Sequence, residues 1–142
     1  MSSSHKVDDD CLFCKIVAGK IPSFKLIDTE LSYAFLDIGP ISKGHCLVIP
    51  KHHGAKLHDL PDSTLTDVLS NLKKLAIAQG LENYNILQNN GRIAHQVVDH
   101  VHFHLIPKPS DSDKEGLVIG WPTQKGDMEE LKKFAEEIKG KL

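Results

Sequence analysis

Three histidines alternate with apolar residues in the segment His100-Val101-His102-Phe103-His104-Leu105-Ile106. In an extended strand, alternate side chains share a face about 7 Å apart. This spacing predicts three imidazoles in a row on one face, with Val101, Phe103 and Leu105 turned to the core. One histidine on a strand is ordinarily a satisfied core or surface residue. Three in strict alternation crowd groups that repel one another when protonated, which suits metal binding or acid–base and nucleophilic work near neutral pH.

Two features turn the reading towards phosphoryl chemistry. Upstream lies Asn89-Asn90-Gly91, a turn able to offer amide and backbone N–H donors to an anion. Asp99 is the only carboxylate beside the row, and strand alternation points it to the face opposite His100. A histidine is therefore the expected attacking group. One of its nitrogens must be held as N–H by an acceptor so that the other presents its lone pair to phosphorus.

A second constellation is Cys11-Leu12-Phe13-Cys14. A C-x-x-C turn places two thiolates close enough for a tetrahedral metal, which then needs two more ligands from elsewhere. Plain packing competes with that reading. A redox pair fits poorly, because no βαβ pattern surrounds the motif. Cys46, inside the apolar run Cys46-Leu47-Val48-Ile49, reads as core.

These groups need a scaffold. The pattern predicts a short helical turn at 11–18 and strands near 24–28, 31–37 and 45–50. Leu31, Tyr33, Phe35 and Asp37 alternate onto one side of the second strand. A helix over 63–79 follows, with Leu65, Val68, Leu69, Leu72, Leu75 and Ala76 as its apolar stripe, capped by Asp62 or Ser63 and ended by Gly80. Further strands fall near 84–89 and 100–106. A last helix over 128–140 starts at Asp127, with Leu131, Phe134, Ala135 and Ile138 as its apolar face. Strands in succession with few helices between them predict an α+β fold: an antiparallel sheet of about five strands, one main helix and a C-terminal helix. Residues 1–10 are expected to be a disordered tail and 11–142 one domain, with a C-terminal extension from about 107. His5, in that tail, and His52 and His58, beside a turn, are expected to be exposed.

With 142 residues, the chain is long enough for one core without disulfides and too short for two ordinary domains. Hydrophobic residues at 40% and charged residues at 25% exclude wholesale disorder. A net charge of −2 gives no basic footprint for a nucleic-acid groove. No apolar run approaches the roughly 18 residues of a membrane span, and no secretory signal is visible. The expected location is cytoplasmic, with access to the nucleus, where the cysteines remain thiols or metal ligands.

The histidine row, Asn89, Leu36-Asp37-Ile38-Gly39-Pro40 and Gly44-His45-Cys46-Leu47-Val48-Ile49-Pro50-Lys51 together resemble the histidine triad (HIT) superfamily. The resemblance runs from about Cys11 to Ile106 and is strongest to its nucleotide-binding branch. It implies a purine nucleoside phosphoramidate hydrolase, of the adenosine monophosphoramidate type, releasing nucleoside monophosphate through a nucleotidyl-histidine. A dinucleoside polyphosphate hydrolase, or a non-catalytic nucleotide-binding scaffold, is the alternative. His102 matches the nucleophile, His104 the residue at the phosphate and leaving group, and His100 the one whose carbonyl fixes the nucleophile's tautomer. His45 matches a fourth histidine behind the row. Asp37 matches the ribose-binding carboxylate, with Ile38, Phe13 and Ile16 around the base, and Asn89 matches an amide on the phosphate. Where close relatives often carry a small residue and a serine, this sequence has His95 and Val97. A hydroxyl contact is lost there, and His95 either replaces it or faces solvent. The resemblance further implies a structural zinc ion on Cys11, Cys14, His53 and His100, and a homodimer. Trp121-Pro122 either reaches a partner's site, as in some family dimers, or simply anchors the tail.

Overall fold

The computed structural model describes residues 5–142; positions 1–4 of the expected tail lie outside the described residues. The elements follow the order α1 (Leu12–Val17), β1 (Lys25–Asp28), β2 (Ser32–Leu36), β3 (Cys46–Pro50), α2 (Val68–Ala78), β4 (Tyr84–Gln88), β5 (Phe103–Pro107) and α3 (Met128–Lys141). The five strands form one antiparallel sheet in the order β1-β2-β3-β5-β4. The fold is α+β, as the hydrophobic pattern indicates.

Strand alternation builds two cores from the same strands. Tyr33 and Phe35 of β2 and Leu47 and Ile49 of β3 pack with Phe13 and Ile16 of α1. Their neighbours Ala34, Cys46 and Val48, together with Leu105 of β5, pack with Val68, Leu72 and Leu75 of α2. The central strand β3 is consequently buried throughout. The central strands are covered on both faces, so the functional face is a walled cleft and not an open surface.

Four expectations need correction. First, β5 begins at Phe103, not His100. Residues 100–102 leave the ladder, and the Val101 N–H instead donates to the Gly54 carbonyl (2.9 Å). Second, the long helix is broken. Asp62–Thr64 form a separate 3-10 turn and α2 starts at Val68. Asp67, at the N-cap position of α2, makes no capping bond. Its carboxylate instead accepts from Thr29 Oγ1 (2.7 Å) and from the Ser32 hydroxyl, tying the helix to the β1–β2 turn. The far end follows expectation. Gly80 adopts a positive φ of 65°, and Leu81 N–H returns to the Ala76 carbonyl (3.1 Å), a Schellman closure.

Third, residues 5–10 are fastened to the body. The His53 N–H donates to the Lys6 carbonyl (2.7 Å), the Lys6 N–H to His52 Nδ1 (3.1 Å), and the Cys11 N–H to the Asp8 carbonyl (3.0 Å). His52 is half-buried as a result, and His5 Nε2 bonds the Glu30 carbonyl (2.8 Å). Mostly backbone groups make these bonds, so a polar composition conceals them. Fourth, Trp121 is 68% exposed and anchors no tail on its own chain. The helix α3 is capped by Asp127 as expected, accepting from the Glu129 N–H (2.9 Å), but Leu131, Phe134 and Ile138 remain exposed.

Candidate active site

The second and third histidines of the row meet at the cleft. His104 lies on β5 opposite Leu47 of β3, and the rings of His102 and His104 stand 5.0 Å apart. A cleft of about 280 Å³ opens beside them, walled by Phe13, Ile16, Phe35 and Leu47, with Asp37 and Val97 also lining it. Ile38, 86% exposed, forms its rim. Such a lining suits a flat apolar group with a few polar anchors.

The first histidine does not share that face. His100 is wholly buried; its Nε2 bonds the Pro50 carbonyl (2.8 Å), and its Nδ1 faces Cys11 Sγ (3.4 Å) and Cys14 Sγ (3.6 Å). The row is split because these bonds hold His100 outside the ladder, which begins only at Phe103.

Backbone groups fix the tautomer of each imidazole. His102 Nδ1 lies 2.7 Å from the His100 carbonyl. A carbonyl only accepts, so Nδ1 carries the proton and Nε2 keeps its lone pair. His45 receives the opposite instruction. The Ile41 N–H donates to His45 Nδ1 (3.2 Å), so the proton of neutral His45 sits on Nε2, 2.9 Å from His104 Nδ1. His104 Nδ1 must then accept, which places the proton of His104 on Nε2. Adjacent rings thus present a bare nitrogen and an N–H. That is the pairing required for attack at phosphorus with a hydrogen bond to a leaving group.

Burial keeps these rings neutral. Desolvation lowers the pKa of His102, opposed by the His100 carbonyl and the charge of Asp37. Desolvation, then the charges of His102 and His45, push His104 down to about 4. Burial also lowers His45, with Asp37 opposing. Asp37 Oδ1 accepts the Gly39 N–H (2.8 Å), and its Oδ2 lies 3.5 Å from His45 Nε2.

From loop 89–99, Val97 and Val98 line the cleft. Asn89 Nδ2 donates to the His95 carbonyl (3.3 Å), and His95 itself is exposed, in the left-handed region at φ 72°. Val97 is exposed at the cleft edge. Asp99 turns away, onto Arg92 (3.0 Å).

Sequence reasoning missed the residues that hold this loop. Buried Gln96 accepts the Gly91 N–H (2.7 Å) and donates to the carbonyls of Ala55 (2.6 Å) and Val98 (3.0 Å). Arg92 donates to the carbonyls of Gln96 (3.2 Å) and Val97 (2.7 Å). A lone glutamine and a lone arginine in a loop carry no spacing signal.

Among the described residues, two groups of side chains could hold a metal ion. Bond lengths of about 2.3 Å to sulfur and about 2.05 Å to nitrogen give tetrahedral edges of roughly 3.6 Å for S–N and roughly 3.3 Å for N–N. Around Cys11, Cys14, His53 and His100 three of the four S–N spacings are 3.4, 3.6 and 3.6 Å, and the two Nδ1 atoms are 3.2 Å apart. The Pro50 carbonyl already leaves His100 Nδ1 bare for a cation. Burial pushes the Cys14 thiol up to about 11, a balance that a cation beside it would reverse. This donor set fits a metal. The second group, Asp37, His45 and His104, does not. A cation on His45 Nε2 would drive the ring proton to Nδ1, against the Ile41 N–H.

The HIT domain family matches residues 18–111. The chain belongs to the HIT family. A HIT relative from Saccharomyces cerevisiae, adenosine 5'-monophosphoramidase HNT1, is 58% identical over 142 residues, covering 100% of this chain and 89% of that protein. Adenosine 5'-monophosphoramidase hnt1 of Schizosaccharomyces pombe is 59% identical over 132 residues, covering 93% and 98%. The crystal structure of a histidine triad nucleotide-binding protein from Candida albicans superposes with a TM-score of 0.87 at 54% identity, covering 93% of this chain and 96% of that one.

Neutral buried histidines give a signed pH dependence. The unfolded chain binds a proton at each of His45 and His104 once pH falls below the ordinary value of 6.5, while the folded chain resists, His104 down to about 4. Stability is therefore full above 6.5 and falls as pH drops through that interval. Thermal melts across it should show a steadily decreasing midpoint. His104→Gln should flatten the decrease; an unchanged slope would refute the assignment.

Proposed function

We propose that this protein hydrolyses purine nucleoside phosphoramidates, of which adenosine 5'-monophosphoramidate is the type, through a nucleotidyl-His102 intermediate. One observation carries the reading: the His100 carbonyl holds the Nδ1–H of His102 and leaves Nε2 as a free lone pair. The purine lies between Phe13, Ile16 and Ile38, and Asp37 accepts from the ribose. The phosphate sits before His102, within reach of Asn89 and the loop carrying His95 and Val97.

His102 Nε2 attacks the α-phosphorus, and the N–P bond to the enzyme forms as the P–N bond to the amine breaks. The departing nitrogen accepts a hydrogen bond from His104 Nε2–H and takes its proton from a water molecule in the cleft. His104 stays neutral, its Nδ1 held by the His45 N–H at 2.9 Å, with the cationic adduct at His102 5.0 Å away between ring centres. The hydroxide so formed then attacks phosphorus, the His102–phosphorus bond breaks, and His102 Nε2 recovers its lone pair. Nucleoside monophosphate leaves. Two displacements at an oriented nucleophile replace one difficult attack by water. Protein quenched during turnover of adenosine monophosphoramidate should yield a nucleotidylated peptide containing His102. His102→Ala should lose that adduct and on the order of 10⁴-fold or more in kcat; activity surviving in the pure variant would refute the reading. Diadenosine tri- or tetraphosphate turned over faster than the phosphoramidate would move the assignment to the polyphosphate hydrolases.

The same reading includes a zinc ion held by Cys11, Cys14, His53 and His100, in a cytoplasmic setting with access to the nucleus that keeps the cysteines reduced. The donor spacings support it. When bound, the ion supplies charge that keeps both thiols deprotonated, and it braces α1 against the His100 backbone. Protein purified without chelator should contain about one zinc per chain by elemental analysis. A Cys11→Ser/Cys14→Ser variant should contain none; metal retained there would refute the ligand set.

The reading also includes a homodimer. The strand β4 is an edge of the sheet with Tyr84 and Ile86 exposed, and Leu69 and Ile77 are exposed on α2. An isologous pairing of this face would cover both. Sedimentation equilibrium at micromolar protein should return the dimer mass, and a monomer at all concentrations would remove the claim.

A further inference from the structure

The four-donor cluster has one more neighbour, in the segment the sequence assigns to a disordered tail. The Lys6 and Asp8 backbones are fixed there by the hydrogen bonds from the His53 N–H (2.7 Å) and the Cys11 N–H (3.0 Å). Asp8 is thereby held against two of the four donor residues. Its Oδ2 lies 3.8 Å from His53 Nε2, the ring nitrogen not directed at Cys14 and His100.

The two histidines of the cluster can be compared directly. His100 offers Nδ1 to the cluster while its Nε2–H is held by the Pro50 carbonyl at 2.8 Å. His53 offers Nδ1 in the same way, and the acceptor facing its Nε2 is the Asp8 carboxylate. We infer that Asp8 is a positioning residue for the metal at Cys11, Cys14, His53 and His100, its carboxylate accepting from His53 Nε2–H and aiming the Nδ1 lone pair at the cation. A charge-assisted hydrogen bond closes to about 2.8 Å. Metal on Nδ1 acidifies the Nε2–H and strengthens that contact. The segment from His5 to Asp10 is then the outer wall of the metal site and no passive tail. The inference rests on the zinc reading above.

A cavity of about 490 Å³ lined by Asp8, Asp10, Cys11 and His53 leads to the cluster, so a competing chelator can reach it. Zinc-loaded full-length protein is mixed with an excess of a chromogenic chelator, and release is followed optically. Asp8→Asn, nearly isosteric but uncharged, should release zinc about tenfold faster or more, and Asp8→Glu should restore most of the wild-type rate. A readout independent of activity is the His53 Nε2–H proton in nitrogen-15 NMR of the zinc-loaded protein. It should be protected from solvent exchange in wild type and exchange faster in Asp8→Asn. Wild-type release and protection in Asp8→Asn would overturn the inference and leave the zinc reading intact. Asp8→Glu releasing as fast as Asp8→Asn would also overturn it, since packing of the segment and not the carboxylate would then be responsible. Wild-type protein that binds no stoichiometric zinc would instead overturn the zinc reading itself, whatever Asp8 does.

Discussion

One hydrogen bond sets the rest of the requirements: His102 Nδ1–H on the His100 carbonyl, at 2.7 Å. An isolated imidazole exchanges its proton between two nitrogens, and an attacking ring needs one of them permanently bare. A side-chain acceptor could supply this but would itself titrate or rotate. A carbonyl two residues back does neither, provided that the backbone from His100 to His102 is fixed. Much of the surrounding structure fixes it. The Val101 N–H is held by Gly54, and the buried His100 ring is held by Pro50 on one nitrogen and the cysteine cluster on the other. These bonds take His100 out of the ladder, which is why the strand cannot begin before Phe103.

The neighbouring ring carries the opposite tautomer, and the cause is again backbone. The Ile41 N–H dictates His45, and His45 dictates His104. This chain of assignments holds only while every member is neutral. A proton on His45 Nδ1 would set two donors face to face at Ile41. Burial on both sides of the sheet enforces neutrality by penalising the charged ring. The apolar cores on the two faces of β2 and β3 therefore determine which atoms of the site donate.

The side chains that the structure gathers into two clusters were readable in the sequence because alternating histidines and a C-x-x-C pair are patterns of side-chain type and spacing. The order and nature of the strands were readable for the same reason: Tyr33 and Phe35 alternate with Ala34, and Leu47 and Ile49 with Cys46 and Val48. What could not be read was carried by hydrogen bonds with no sequence signature. Ile41 acts through its N–H, so any residue except proline could stand there. Gln96 and Arg92 act on carbonyls, and only their placement beside the cleft makes them informative. The break before α2 has a similar origin. Asp62, Ser63 and Asp67 are all competent caps by type, but the carboxylate of Asp67 is engaged by hydroxyls of a distant turn.

The two constellations recognised separately in the sequence are physically joined through α1. Six residues are too few for a helix to persist without tertiary support, and α1 is held at its start by Cys11 and along one face by Phe13 and Ile16. Phe13 stands edge-on to His102, ring centres 5.0 Å apart, and to His100 at 5.8 Å. The same side chain walls the cleft. Cys11 and Cys14, on either side of it, face His100. A shift of this turn would therefore alter the wall of the cleft, the packing of the His102 ring and the ring that anchors its tautomer together. The cysteine cluster lies outside the reacting atoms, yet through Phe13 and the His100 backbone it bears on every contact that orients His102. That makes the N-terminal turn part of the site's geometry even though none of its polar side chains reaches the cleft.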